Sequence, residues 1–129
     1  MKEIISTPKA PAAIGPYSQA VKAGGMLYVS GQLPIDPATG EFAAPDVTGQ
    51  TRQSLENLKA ILLQAGCGLG DVVKTTVLLA DIADFGAMNG VYSEYFTDAC
   101  PARAAFAVKA LPKGALVEIE AVAVCGHSV

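Results

Sequence analysis

Residues 116–124 constrain this chain more than any other stretch. Side chains alternate across a strand, so Val117, Ile119, Ala121 and Ala123 share one face while Leu116, Glu118, Glu120, Val122 and Val124 share the other. The first face belongs on a core. The second is half apolar yet carries two carboxylates, so it suits neither full solvent exposure nor unpaired burial. Packing against further copies of the chain, with a polar pocket kept at the seam, meets both demands and predicts a site at a subunit interface.

The remaining segments supply the layers around that strand. Residues 17–22 and 26–30 read as a hairpin, turned by Lys22-Ala23-Gly24-Gly25, whose glycines provide positive φ. Residues 33–45, with Pro34, Asp36-Pro37, Thr39-Gly40 and Pro45, read as loop. Over residues 46–65, Leu55, Leu58, Leu62 and Ala65 recur at helical spacing, with Asp46 or Thr48 as N-cap and Gly66 as the stop. Residues 72–80 are apolar on both faces apart from Lys74 and the threonines, which predicts a strand covered on both sides. A second helix over residues 84–96 puts Phe85, Met88, Tyr92, Tyr95 and Phe96 on one side. Asn89 falls at the edge of that apolar face, so its amide must find a partner. The last two strands are residues 103–109 and 116–124, joined through Leu111-Pro112-Lys113-Gly114. At 129 residues the chain fits one domain, 1–129, of α+β class with two helices on one face of a small sheet.

Composition narrows the function classes. Charged residues make up 16% of the chain, against roughly 25% in an average soluble domain, so apolar surface is left for self-association. The net charge is -3 and the nine basic residues are scattered, which argues against nucleic acid as a partner. No run of about 18 apolar residues and no signal-peptide core appear, so no membrane association is expected and the cytoplasm is the expected location. Cys67, Cys100 and Cys125 are odd in number and widely spaced, and are read as plain thiols. His127, the single histidine, sits near the C-terminus, where chains often fray. That excludes Ser-His-Asp and Cys-His schemes and leaves no metal site expected.

Only two arginines are present. Arg52 falls off the leucine stripe of the first helix and reads as a solvated surface charge. Arg103 opens a strand of small and apolar residues, Ala104-Ala105-Phe106-Ala107-Val108, and is expected to face the acidic strand that carries Glu118. Small neighbours beside a permanently charged, planar fork leave room for a bidentate carboxylate. A structural salt bridge from Arg103 to Glu118 or Glu120 explains the same residues equally well at this level, as do interface ion pairs for the two glutamates.

Several stretches carry a resemblance across nearly the whole chain. They are Ile14-Gly15-Pro16-Tyr17-Ser18-Gln19-Ala20, Leu27-Tyr28-Val29-Ser30-Gly31-Gln32, Leu55-Glu56-Asn57-Leu58-Lys59-Ala60-Ile61-Leu62, Pro101-Ala102-Arg103 and the run from Leu111-Pro112-Lys113-Gly114 to Ala123. Together they closely resemble the RidA branch of the YjgF-like family of imine and enamine deaminases. The resemblance implies a chorismate-mutase-like α+β fold, with a mixed, largely antiparallel sheet and two helices packed on one face, assembled as a homotrimer with sites between subunits. It implies hydrolysis of 2-iminobutanoate and 2-iminopropanoate to 2-keto acids and ammonia, a reaction for which no cofactor is expected. By position, Arg103 matches the arginine that grips the substrate carboxylate and Glu118 the glutamate that handles water, while Tyr17, Ser30, Gly31 and Asn89 match cleft-lining positions. Ala104 and Ala105 stand where many relatives have a hydroxyl or thiol, and the connection 97–100 is shorter than in some, which bears on substrate range. A ligand-sensing protein without turnover, or a ribonuclease or translation inhibitor, is the rival reading.

Overall fold

The computed structural model describes residues 1–126, so His127 and the fraying expected of it lie outside the described residues. Strands β1 (Glu3–Ile5), β2 (Ala20–Ala23) and β3 (Met26–Gln32) are followed by helix α1 (Val47–Gln64), strand β4 (Val72–Leu79), helix α2 (Phe85–Tyr95) and strands β5 (Ala102–Ala107) and β6 (Val117–Val124). One sheet joins all six strands in the order β1-β2-β3-β6-β4-β5. Every neighbouring pair is antiparallel except β4 and β5, which run parallel because α2 forms the crossover between them.

Both helices form where the apolar spacing predicts, on one face of the sheet. Asp46 caps α1 by accepting from the Gly49 amide at 2.8 Å, and Gly66 takes a positive φ of 87° just beyond the helix. Leu55, Leu58, Ile61 and Leu62 of α1 are fully buried, as are Val117, Ile119 and Ala123 of β6. Each buried leucine contributes about 2 kcal/mol of transfer free energy, which makes this layer the main source of stability.

The alternation along β6 is borne out residue by residue: Val117, Ile119, Ala121 and Ala123 are buried, whereas Glu118 and Val122 are half-buried and Glu120 and Val124 exposed. Tyr28, Val73, Phe106 and Val124 remain 40–51% open to solvent. The expectation that residues 72–80 are covered on both sides therefore fails within one chain. β4 is interior in strand order, but the helices cover only one of its faces.

Other expectations also change. Residues 17–19 are not strand: the ladders of β2 begin at Ala20, and the buried Gln19 side chain serves the N-terminal segment, its amide donating to the carbonyls of Thr7, Ala10 and Pro11 and its oxygen accepting from the Thr7 amide at 2.7 Å. β1 has only Ile5 buried, too little pattern to be read in advance. β3 continues past Ser30 to Gln32, with an irregular register against β6 between Val29 and Gln32. Cys67 and Cys125 are not free thiols but a buried disulfide pair with Cα atoms 5.6 Å apart. The turn after α1 and the end of β6 meet in space, which a separation of 58 residues conceals. Arg52 is paired rather than merely solvated, bridging α1 to α2 through Glu94 at 2.9 Å.

Candidate functional site

Arg103 and Asn89 are brought together. In the parallel pairing Arg103 sits opposite Thr75 of β4, and its side chain leaves the edge strand on the face that α2 covers. One guanidinium nitrogen donates to Asn89 Oδ1 at 2.7 Å, which supplies the partner that a polar residue on an apolar helical edge requires. The guanidinium carbon lies 4.7 Å from the Tyr92 ring centroid and 5.3 Å from that of Phe85. A cleft of about 390 Å³ opens here, walled by Asn89, Tyr92, Phe96, Cys100, Pro101 and Arg103.

Glu118 occupies different ground. It pairs across Leu78 with Phe106, three residues along β5 from Arg103, so the two side chains leave opposite faces of the sheet with β4 between their strands. The expectation that Arg103 faces the strand bearing Glu118 is thus corrected for a single chain. So is the salt-bridge reading: among the described residues the one ion pair is Arg52–Glu94, and Arg103 has no acidic partner.

The Glu118 carboxylate instead packs over Gly31, where a Cβ would run into it. Burial, and then the neighbouring Glu120 charge, push Glu118 above its ordinary carboxylate value. Ser30 serves as a tie: its hydroxyl donates to the Ser18 carbonyl at 2.6 Å and its amide to the Gln19 carbonyl at 2.9 Å. These bonds hold the segment bearing Tyr17 against β3. Tyr17 and Gly31 then line a second cleft of about 270 Å³, together with Ile14, Leu33, Ile35 and Lys113.

The described chain therefore carries two separate polar clusters. One offers a guanidinium fork with donors left over after Asn89, suited to a carboxylate. The other offers a carboxyl group of raised proton affinity packed over Gly31, which itself lines the cleft that Tyr17 borders. Sequence reasoning did not single out Lys113, which takes a positive φ of 58° and lines the Tyr17 cleft; only its place in the Leu-Pro-Lys-Gly turn hinted at an unusual conformation. Nor did it single out Tyr92, whose ring lies against Arg103. A larger cavity of about 560 Å³, walled by Glu41, Phe42, Gln50 and Lys113, contains none of the expected site residues.

Comparison with known proteins follows this geometry. A profile of the family described as Endoribonuclease L-PSP matches residues 7–125. A RutC family protein of Pyrococcus horikoshii is 58% identical over 95% of this chain and 98% of its own length. The 2-iminobutanoate/2-iminopropanoate deaminase of Mus musculus is 54% identical over 98% of this chain and 93% of its own. The crystal structure of the YjgF gene product from E. coli superposes with a TM-score of 0.91 at 50% identity, covering 95% of this chain and 98% of that one.

Proposed function

Because the chain belongs to the Endoribonuclease L-PSP family, the YjgF-like family that includes the Rid proteins, we propose that it is a 2-iminobutanoate/2-iminopropanoate deaminase. Water adds across the C=N bond of a 2-imino acid, the carbinolamine collapses, and a 2-keto acid and ammonia leave. An imine carbon is already electrophilic, so the protein has only to hold the carboxylate, present water and move a proton.

The observation that carries this reading is the Arg103 guanidinium, oriented by Asn89 at 2.7 Å and unpaired with any described carboxylate. Arg103 anchors the substrate carboxylate through its fork. Glu118 holds the attacking water, accepts a proton from it and returns one to the departing nitrogen; its raised proton affinity suits that shuttle. Tyr17, Gly31 and Asn89 shape the cleft, and Ser30 holds Tyr17 in place.

A homotrimer completes the site, with Arg103 of one subunit meeting Glu118, Tyr17 and Gly31 of the next. The half-open sheet face bearing Tyr28, Val73, Phe106 and Val124 supports association of this kind. The cytoplasm is the setting proposed, with the burial of Cys67 and Cys125 slowing thiol exchange on the disulfide. No helix among the described residues is long and apolar enough to cross a membrane.

The test couples the protein to a threonine dehydratase and follows 2-oxobutanoate release. Wild type should exceed spontaneous hydrolysis, and Arg103→Lys, which keeps the charge but loses the fork, should lower kcat/KM by at least about 100-fold. Mixing Arg103→Lys with Glu118→Gln subunits should recover part of the activity through hybrid assemblies. Wild-type release at the spontaneous rate, or full activity of Arg103→Lys, refutes the proposal.

A further inference from the structure

Arg103 is held by more than Asn89. We propose that Tyr92 and Thr75 are positioning residues that set the plane of the Arg103 guanidinium, an inference that rests on Arg103 as the carboxylate anchor.

Three observations close a loop through the fold. Thr75 is the β4 residue directly opposite Arg103 in the parallel register, and it is fully buried. Its hydroxyl shares a 2.7 Å hydrogen bond with the Tyr92 hydroxyl, across from β4 to α2. The Tyr92 ring, 6% exposed, then lies beneath the guanidinium at 4.7 Å. The strand that carries Arg103 and the ring that supports its charged end are thus both referenced to one buried residue.

Tyrosine suits this place better than phenylalanine. A ring alone supplies the cation–π surface, but the phenol converts it into a platform with a fixed tilt, because the hydroxyl has a partner that cannot move without disturbing the sheet. Burial keeps that phenol protonated. Phe96 backs the platform with its centroid 4.7 Å from that of Tyr92, and Phe85 borders the guanidinium at 5.3 Å. Asn89 then constrains rotation in the plane, because it takes one N–H of a guanidinium that lines the cleft and leaves the other donors free for a ligand.

Calorimetric titration of 2-oxobutanoate into the assembled protein, with a melting curve for each variant, tests the arrangement. Tyr92→Leu removes the platform and should weaken binding about tenfold, the size of a partly desolvated cation–π contact. Thr75→Val should weaken it about threefold, and Thr75→Ser, which keeps the hydroxyl, should restore it. Tyr92→Phe combined with Thr75→Val removes both polar groups without leaving either unsatisfied. That double variant should melt near wild type yet bind about threefold more weakly, a split that a merely structural role does not produce.

A double variant with wild-type affinity, or a folded Tyr92→Leu variant within twofold of wild type, overturns the proposal while leaving Arg103 as the anchor. Wild type that binds no 2-keto acid, or Arg103→Lys at undiminished affinity, overturns the anchor and this proposal with it.

Discussion

Replacing Gly31 with alanine should separate the chemistry from the fold. Gly31 is not among the glycines with positive φ, so alanine is admissible to its backbone and restricts the unfolded chain, a gain of about 0.4–1 kcal/mol. The obstacle is one side chain. A Cβ at position 31 would collide first with Glu118 Oε2 and would stand 2.9 Å from the carboxyl carbon behind it, whereas carbon contacts relax at about 3.5–4.0 Å. The carboxyl group must therefore retreat by at least about 1 Å, and a flexible glutamate can do so at a rotamer cost of about 1 kcal/mol. Gain and cost nearly cancel, and the melting temperature should shift by no more than a few degrees. Catalysis has no such compensation, since misplacing a reacting group by about 1 Å lowers the rate about 100-fold, or about 2.7 kcal/mol in the barrier. Stopped-flow measurement of imine hydrolysis with calorimetry of the same samples gives both quantities. A Gly31→Ala protein with wild-type kcat/KM and an unchanged melting temperature would remove Glu118 from the mechanism.

Glu118 should also leave a mark on stability. Its folded proton affinity lies above the unfolded value, so the native state binds that proton more tightly, and stability falls as pH rises from the ordinary carboxylate range through the raised value. Glu118→Gln should therefore melt higher than wild type at neutral pH while losing activity, and the stability difference should vanish below the unfolded carboxylate value; a lower melting temperature at pH 7 contradicts this. Gln19→Ala strips four hydrogen bonds from the 7–11 segment and should cost about 3 kcal/mol in urea denaturation, with a loss under 1 kcal/mol assigning those groups to water instead.

What could be read in advance follows from the range of each signal. The leucines of α1 and the alternation of β6 are local periodicities, and both helices lie within a residue of their expected ends. Arg103, Glu118 and Asn89 stand out by their local patterns and Gly31 by the resemblance alone, and the structure joins them in two pairs rather than one cluster. The separation has a tertiary cause: β4 inserts between β5 and β6, and parity along the strands sends Arg103 and Glu118 to opposite faces. No pattern within either strand encodes that insertion. The Cys67–Cys125 pair, the commitment of Gln19 to the N-terminal segment and the bridge from Arg52 to Glu94 are likewise long-range contacts. Tyr92 illustrates the point most directly, since at helical spacing it is simply another apolar side chain, and its second task appears only once Thr75 and Arg103 are in register.

The disulfide also makes the chain a covalent ring with a tail. Between Cys67 and Cys125 lie β4, α2, β5 and β6, which carry Thr75, Asn89, Tyr92, Arg103 and Glu118; Tyr17, Ser30 and Gly31 belong to the tail. The connection 97–100, exposed throughout and with Ala99 at a positive φ of 47°, is one accessible point of the ring for a protease. A single cut there should leave one band on a gel without reductant and two with it. The nicked protein would then have two new chain ends beside the arginine cleft while every strand stayed tethered, so residues 97–99 could be varied, or a segment inserted among them, without dispersing Asn89, Tyr92, Cys100 and Arg103 around the cleft.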